Sequence, residues 1–156
     1  MNNLGDLLRD RGEVEEAESW YRKAAEGGQI LAMNNLGALL ADRGEAGKAE
    51  SWYRKAAEGG RTLAMSNLGA LLKQRGEFEE AEFWYRKAAE GGHIDAMNNL
   101  GALLKNQRKA KKAQPWFRRA AEGGHTGAMN NLGALLELQG KEGEAESWYR
   151  KAAGGR

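Results

Sequence analysis

Residues 32–40 read AMNNLGALL, which places two asparagines and a glycine inside a helical pattern of leucines. Asparagine is a mediocre helix former, and glycine in a helix costs about 1 kcal/mol relative to alanine. Near-copies of this stretch recur every 32 residues, each opened by a methionine: Met1, Met33, Met65, Met97 and Met129. A fixed spacing of this length predicts an array of stacked repeats. We therefore expect a single repeat domain over residues 1–156, with copies at 1–32, 33–64, 65–96, 97–128 and 129–156.

The second copy predicts two helices in each repeat. One apolar stripe at helical spacing contains Met33, Leu36, Gly37 and Leu40, and a second contains Ala49, Trp52, Tyr53 and Ala56. Glycines follow both stripes and end the helices, because glycine takes the left-handed conformation common at helix ends. Gly37 has no side chain, so a neighbouring helix can approach it closely and Tyr53 can fill the space. Strand patterns are absent, and the predicted fold is all-α, a solenoid of stacked antiparallel helix pairs.

The spacing of these residues resembles a known repeat. Leu36-Gly37, Leu40, Ala49, Tyr53 and Ala56 match the pattern of the tetratricopeptide repeat. The run WYRKAAEGG at 20–28, followed by AMNNLG at 32–37, is similar to the Sel-like branch of the same superfamily. This resemblance implies a right-handed superhelix in which the first helix of each pair lines a concave surface that holds peptides.

Composition and motifs exclude several function classes. The chain has no cysteine, which excludes disulfides and thiolate metal sites, and it has no apolar stretch long enough to span a membrane. No signal peptide opens the chain, so we expect a cytoplasmic protein. No carboxylate pair, nucleophile with a base, phosphate-binding loop or metal constellation is present. We therefore predict no catalytic residues, no cofactor and no metal.

The asparagines form the candidate binding groove on the face opposite the Met33 stripe. One position is asparagine in every copy, and the position before it is asparagine in all copies except the third, which has Ser66. Amides offer donors and acceptors that suit an extended peptide backbone. The predicted groove contains Asn3, Asn34, Asn35, Asn67, Lys73, Asn98, Asn99, Lys105 and Asn131. The alternative is that the amides bond to adjacent segments of the stack and only hold the repeats in register.

Two lysines of this groove resemble a clamp for a terminal carboxylate. Lys73 and Lys105 occupy equivalent positions in adjacent copies, one helical turn or more beyond the asparagines. This resembles the way some tetratricopeptide domains hold the C-terminus of a peptide. The alternative is that both lysines are solvated surface residues that serve solubility.

Two other sets of residues favour structural roles. The tryptophans share the apolar stripe of the second helix, which favours core packing over an aromatic cage; they are Trp20, Trp52, Trp84, Trp116 and Trp148. His93 and His125 fall at equivalent turns in neighbouring copies, and no third ligand accompanies them. A metal site at these histidines is not expected.

The fourth copy departs from the others in charge and in its loop. It carries seven lysines and arginines and a single glutamate, although the whole chain has a net charge of only +2. The predicted basic patch contains Arg108, Lys109, Lys111, Lys112, Arg118 and Arg119. It is either a docking point for acidic protein or nucleic acid, or the result of sequence drift. Pro115 predicts that the second helix here starts late or kinks.

These features favour a non-enzymatic scaffold that binds a peptide or partner protein in its concave groove. One alternative is a helical repeat that binds single-stranded nucleic acid, although the first and third copies are acidic and a nucleic-acid groove should be basic along its length. Another is a self-assembling, excised or engineered array without a ligand of its own. The terminal repeats lack polar caps, so we also expect head-to-tail association of chains, and no association with membranes.

Overall fold

The computed structural model describes residues 1–154, and this part of the chain contains ten α-helices and no β-strand. Each copy contributes a pair of helices joined by a short loop. The helices are α1 (Asn2–Asp10), α2 (Val14–Glu26), α3 (Ile30–Asp42), α4 (Ala46–Glu58), α5 (Thr62–Gln74), α6 (Phe78–Glu90), α7 (Ile94–Asn106), α8 (Ala110–Glu122), α9 (Thr126–Glu137) and α10 (Glu142–Ala152). In the second to fifth copies the first helix begins three residues before its methionine, whereas α1 begins at Asn2, after Met1. The sequence repeat is therefore offset from the structural repeat by nearly one turn.

The chain divides into two compact units. The N-terminal unit, Met1–Glu77, contains α1 to α5, and the C-terminal unit begins at Phe78 and contains α6 to α10. In the N-terminal unit each helix packs against the next, and α3 also contacts α5. The C-terminal unit repeats this arrangement, with α7 also contacting α9. Contacts between successive first helices bring together the faces that carry the asparagines.

Small residues allow the two helices of a pair to approach closely. Leu36 and Leu40 on α3 are buried, and Ala49 and Ala56 on the next helix, α4, are fully buried. α3 and α4 pack against each other. A Cβ atom placed on Gly37 would lie only 2.7 Å from Cδ1 of Tyr53, so the predicted packing of this ring against the glycine is confirmed. The same contact recurs at Gly5–Tyr21, Gly101–Phe117 and Gly133–Tyr149.

The tryptophans lie at the edge of this core. Trp84 is buried, as predicted, whereas the other four are half-buried. A cation three residues later in the helix lies over each ring, 4.3 to 5.6 Å from the ring centroid, in the pairs Lys23–Trp20, Lys55–Trp52, Lys87–Trp84, Arg119–Trp116 and Lys151–Trp148. Such cation–π contacts each contribute about 0.5 to 1 kcal/mol at exposed sites.

The loop between paired helices needs a left-handed residue. Gly44 supplies it in the second copy with φ +76°, and Gly140 supplies it in the fifth with φ +73°. In the fourth copy the same place is occupied by Arg108, whose φ is +60°. Residues with a Cβ atom are strained in this conformation by about 1 to 2 kcal/mol. The loop of the fourth copy therefore keeps the geometry of the others at a cost in stability.

We expect Arg108→Gly to raise the free energy of unfolding by about 0.5 to 1 kcal/mol, because the relief of strain exceeds the entropy that glycine adds to the unfolded chain. Urea unfolding measures this change. Gly44→Arg is the matched reverse substitution, and it should lower the free energy of unfolding by a similar amount. An Arg108→Gly variant less stable than the parent would contradict the proposed strain.

The proline of the fourth copy does not delay its helix. α8 begins at Ala110 and runs without a break to Glu122, so it has the same 13-residue length as α4 and α6. The predicted late start is therefore wrong. Pro115 lies in the second turn, where its missing N–H removes the bond to the carbonyl of Lys111 and its ring crowds that carbonyl. Its fixed φ suits a helix, and the helix continues through it. The amide of Lys112 bonds to the carbonyl of Lys109 at 2.9 Å and tightens the first turn.

Candidate functional site

Amide hydrogen bonds join successive first helices of the N-terminal unit. Nδ2 of Asn35 on α3 donates to Oδ1 of Asn2 on α1 at 3.2 Å. Nδ2 of Asn67 on α5 donates to Oδ1 of Asn34 on α3 at 3.1 Å. The second asparagine of one copy thus bonds to the first asparagine of the preceding copy, 33 residues earlier in the chain. We call this row of bonds the amide ladder.

The C-terminal unit contains the same contact. Nδ2 of Asn131 on α9 donates to Oδ1 of Asn98 on α7 at 3.1 Å. Oδ1 of Asn131 also accepts from Nζ of Lys105 at 3.4 Å, which places a cation beside the ladder. The same register in both units indicates that this bond follows from the way first helices pack against each other.

The ladder bond leaves part of the Asn67 amide free to bind something else, whereas Nδ2 of Asn35 donates to both Asn2 and Asp6. A side-chain amide has two N–H donors and an oxygen with two lone pairs, and the ladder bond uses one donor of one amide and one lone pair of the other. Asn35, Asn67, Asn99 and Asn131 are half-buried, so solvent and ligands can reach them. The asparagines therefore do bond between neighbouring first helices, which is the register-holding role given above as the alternative. This role is compatible with a binding role.

The remaining predicted groove residues differ in exposure. Asn34 is only 3% exposed and lies between helices, whereas Asn3 is exposed and Asn98 is half-buried. Lys73 is exposed on α5 in the N-terminal unit, and Lys105 is half-buried on α7 in the C-terminal unit. The carboxylate clamp formed by these two lysines stays a prediction.

A carboxylate at the start of the ladder was missed from the sequence. Asp6 accepts hydrogen bonds from Nδ2 of Asn2 at 3.0 Å, from Nδ2 of Asn35 at 3.0 Å and from the hydroxyl of Tyr21 at 2.6 Å. Burial, and then the hydrogen bond to this carboxylate, raises the pKa of Tyr21 above its ordinary value. The other copies have alanine at this position, so the exchange of alanine for aspartate was the feature of the sequence that could have indicated this carboxylate.

A small cavity adjoins the ladder in the N-terminal unit. It has a volume of about 150 Å³ and is lined by Ala41, Tyr53, Asn67, Ala70, Leu71 and Gln74. The alanines on α3 and α5 leave the space, and the amide of Asn67 lies at its wall. The cavity therefore places the Asn67 and Gln74 amides beside apolar side chains. It is smaller than the roughly 300 to 1,000 Å³ of small-molecule pockets, and its size suits a single side chain.

The two histidines cap helices. Nδ1 of His93 accepts from the amide of Ala96 at 3.2 Å, and Nδ1 of His125 accepts from the amide of Ala128 at 3.0 Å. One ring nitrogen of each histidine is thus engaged at the start of a first helix. Within residues 1–154 no group of three or more histidine, cysteine, aspartate or glutamate side chains could hold a metal ion.

The predicted basic patch lies along α8 and the loop before it. Nζ of Lys109 is 3.7 Å from Glu82, and Nη2 of Arg118 is 3.8 Å from Glu144, so both ion pairs are long. Arg108, Lys111 and Lys112 are exposed. The structure thus places these cations on α8 and the loop before it, whereas the amide ladder lies on the first helices.

Comparison with known proteins agrees with this architecture. The family model for the tetratricopeptide repeat matches residues 1–31, 29–64, 61–91, 93–123 and 126–156. A comparison with curated protein sequences finds no match. Within residues 1–154 no helix has the length and apolar character needed to cross a membrane.

Several solved structures share the fold. The protective antigen c5321 of uropathogenic Escherichia coli, described as displaying an SLR fold, is 37% identical with a TM-score of 0.78, over 88% of this chain and 33% of that one. A Sel1 repeat protein from Oxalobacter formigenes is 29% identical with a TM-score of 0.82, over 97% of this chain and 70% of that one. Pseudomonas aeruginosa pilF has a TM-score of 0.83 at 24% identity, over 99% of this chain and 74% of that one.

The helix pairs, their glycine–aromatic contacts and the matches in every copy lead to one conclusion. The fold is an all-α helical-repeat solenoid of the kind that typically serves as a scaffold for protein–protein interaction. The chain belongs to the tetratricopeptide repeat family, within the superfamily that also contains the Sel-like repeats.

Proposed function

We propose that the protein is a non-enzymatic scaffold that binds an extended peptide, or an extended segment of a partner protein, along the face of its first helices. The observation that carries this proposal is the cavity beside Asn67, since it joins an apolar space to an amide of the ladder. In this position the cavity takes one side chain of the peptide, and the ladder amides bond to the peptide backbone on either side.

The chemistry of the face fits a peptide. Asn67 uses one N–H for Asn34 and keeps a second N–H and its oxygen for a backbone carbonyl and amide. Water makes these hydrogen bonds when no ligand is bound, so a peptide that replaces the water gains little net free energy from them. The shape of the peptide and the spacing of its polar groups therefore decide which peptide binds. The cavity volume of about 150 Å³ favours a small or medium apolar side chain over a tryptophan or an arginine.

Filling the cavity tests this proposal without breaking the ladder. The leucine of an Ala70→Leu variant should occupy the space and weaken the tightest peptide from a random library with free C-termini by about tenfold or more. Fluorescence anisotropy of the labelled peptide measures the affinity. Ser51→Leu adds an apolar side chain to the exposed face of α4, and it should leave the affinity within about twofold.

Three results would count against the proposal. One is a failure of the parent protein to bind any library peptide. The second is a peptide that Ala70→Leu binds as tightly as the parent does. The third is equal weakening by Ala70→Leu and Ser51→Leu, which would place binding elsewhere or make it non-specific.

A further inference from the structure

The exposed face of α8 presents four cations around a proline. Pro115 is exposed, and Lys111, Lys112, Arg118 and Arg119 lie three or four residues before and after it. Residues at these spacings are neighbours on a helix surface, so the four cations surround the pyrrolidine ring. We call these five residues the α8 basic face. The only carboxylate in α8 is that of Glu122, at the end of the helix.

The other second helices neutralise the corresponding arginine within the helix. Each of them pairs this arginine with the glutamate four residues earlier, at 2.6 to 2.9 Å, in Arg22–Glu18, Arg54–Glu50, Arg86–Glu82 and Arg150–Glu146. In α8 the glutamate is replaced by Gln114, which bonds to Gln139 instead at 3.0 Å. Arg118 therefore keeps only the long contact to Glu144, at 3.8 Å.

The first turn of α8 has charges opposite to those of α2 and α6, whereas α4 has no acidic residue in its first turn. Where α2 has Glu15 and Glu16, and α6 has Glu79 and Glu80, α8 has Lys111 and Lys112. Lysines near a helix N-terminus are disfavoured by the helix dipole. Neither lysine has an ion pair within residues 1–154, so no contact in the described structure compensates for this cost.

The loop before α8 extends this positive surface. An open cavity of about 430 Å³ is lined by Arg108, Lys109, Ala110, Lys111 and Lys112. On α6, whose Glu82 lies 3.7 Å from Nζ of Lys109, Phe83 is 49% exposed. It occupies the position equivalent to Pro115, where the first, second and fifth copies have serine. The region thus offers strong positive charge together with exposed apolar groups.

We propose that the α8 basic face is a second docking surface, separate from the amide ladder, and that its ligand is an acidic polypeptide segment. Complementary charge is the reason for an acidic ligand. Within the described residues none of the four cations has a carboxylate closer than 3.8 Å, so they attract carboxylates and suppress basic partners. Lys111 to Arg119 spans about 12 Å along the helix, which matches about four residues of an extended chain. The exposed ring of Pro115 receives an apolar side chain of the same segment.

Two observations favour a polypeptide over nucleic acid. The positive charge is local, because Glu82 on α6 lies 3.7 Å from Lys109 and Glu144 on α10 lies 3.8 Å from Arg118, whereas a nucleic-acid backbone needs a continuous basic track. The Trp116 ring already has the guanidinium groups of Arg86 and Arg119 against it, at 5.8 and 5.1 Å from its centroid. It is therefore not free to stack on a base.

The test uses a labelled peptide of glutamates around a central leucine, and a matched peptide in which glutamine replaces every glutamate. In low salt we expect the acidic peptide to bind and the glutamine peptide not to bind. Lys111→Glu with Lys112→Glu restores the acidic first turn of α2 and α6, so this variant should fold, and it should bind the acidic peptide about tenfold more weakly. Circular dichroism confirms that the helices remain.

Matched variants separate this surface from general charge and from the groove. Lys48→Glu with Arg61→Glu makes the same change in net charge on the N-terminal unit and should change the affinity by less than about twofold. Ala70→Leu, which fills the cavity by the ladder, should also leave acidic-peptide binding unchanged. A failure of the α8 proposal is thus distinguishable from a failure of the proposed peptide groove.

Several results would overturn the proposal. Equal weakening by the two charge-reversal variants would show that only net charge matters. Unchanged binding in the α8 variant would place the acidic peptide elsewhere. Tighter binding of a single-stranded RNA oligonucleotide than of the peptide, lost in the α8 variant, would assign the surface to nucleic acid. A dimer in sedimentation equilibrium that the α8 variant abolishes would assign it to a second copy of the chain.

Discussion

Gly37→Ala should lower the free energy of unfolding by about 1 to 3 kcal/mol, even though alanine is the better helix former by about 1 kcal/mol. The added Cβ atom would lie 2.7 Å from Cδ1 and 2.8 Å from Cε1 of Tyr53. Tyr53 is only 4% exposed, so its ring cannot move away without disturbing the core. Overpacking therefore outweighs helix propensity at this position.

The same substitution at Gly47 provides the control. Gly47 lies in the first turn of α4, and a Cβ atom built there meets no atom within 4 Å. Gly47→Ala should raise the free energy of unfolding by up to about 1 kcal/mol, because only propensity and chain entropy change. Urea unfolding of both variants should thus give changes of opposite sign.

A double-mutant cycle locates the cause of the Gly37→Ala loss. In a Tyr53→Leu background the ring is gone, so Gly37→Ala should cost clearly less than it does in the parent protein. Two results would contradict the proposed contact. One is a stabilised Gly37→Ala variant, and the other is a cost that does not depend on the residue at position 53.

The periodicity of the sequence was sufficient to predict the fold, because the residues that determine the helix pair and its packing lie within one repeat. The apolar stripes around Leu36 and Tyr53 determine two helices, and Gly37 indicates where the paired helix approaches. These are contacts within one repeat, at short separations along the chain. They could be predicted from helical spacing alone.

The candidate site was harder to predict because it depends on how neighbouring repeats are staggered. The ladder joins the second asparagine of one copy to the first asparagine of the preceding copy. Asn34 is buried and Asn35 is half-buried, whereas Asn98, at the position equivalent to Asn34, is half-buried. Helical spacing placed both asparagines on the same open face. Only the packing of α3 between its neighbours shows that they have different surroundings.

One contact between repeats was nevertheless visible in the sequence as a paired change. Arg43 bonds to Glu18 at 2.5 Å, and Arg75 bonds to Glu50, both across 25 residues. The C-terminal unit has two corresponding pairs. In one, both partners are glutamine, Gln114 and Gln139, and their amides bond to each other. In the other, Gln107 replaces the arginine and Glu82 is kept. The joint replacement of both partners would have identified the contact. It also explains why Arg118 has lost its glutamate on α8.

Alkaline pH should unfold the protein through its buried tyrosines. Burial, with a smaller contribution from the Asp42 carboxylate, raises the pKa of Tyr53 to about 12, and burial raises the pKa of Tyr85 to about 12. Folding thus favours the neutral phenols. Their contribution to stability is complete below pH 10, the ordinary pKa, and is lost as the pH rises from 10 to about 12. We expect a loss of about 1 to 3 kcal/mol for each tyrosine.

The fourth copy supplies the matched variant for this prediction. Phe117 occupies the equivalent position and is fully buried, so the ring packs without a hydroxyl. The hydroxyls of Tyr53 and Tyr85 have no hydrogen bond within residues 1–154, in contrast to that of Tyr21. Tyr53→Phe with Tyr85→Phe should therefore keep the neutral-pH stability within about 1 kcal/mol of the parent.

The decisive comparison is urea unfolding of the parent and the double phenylalanine variant below pH 10 and near pH 12. Lysines also lose their charge over this range, but they do so in both proteins, so the difference between the two isolates the phenols. The parent should become less stable than the variant as the pH rises, and tyrosinate absorbance should appear together with unfolding. If both proteins lose stability in parallel, the buried phenols are not the cause, and loss of the surface ion pairs between repeats is the better explanation.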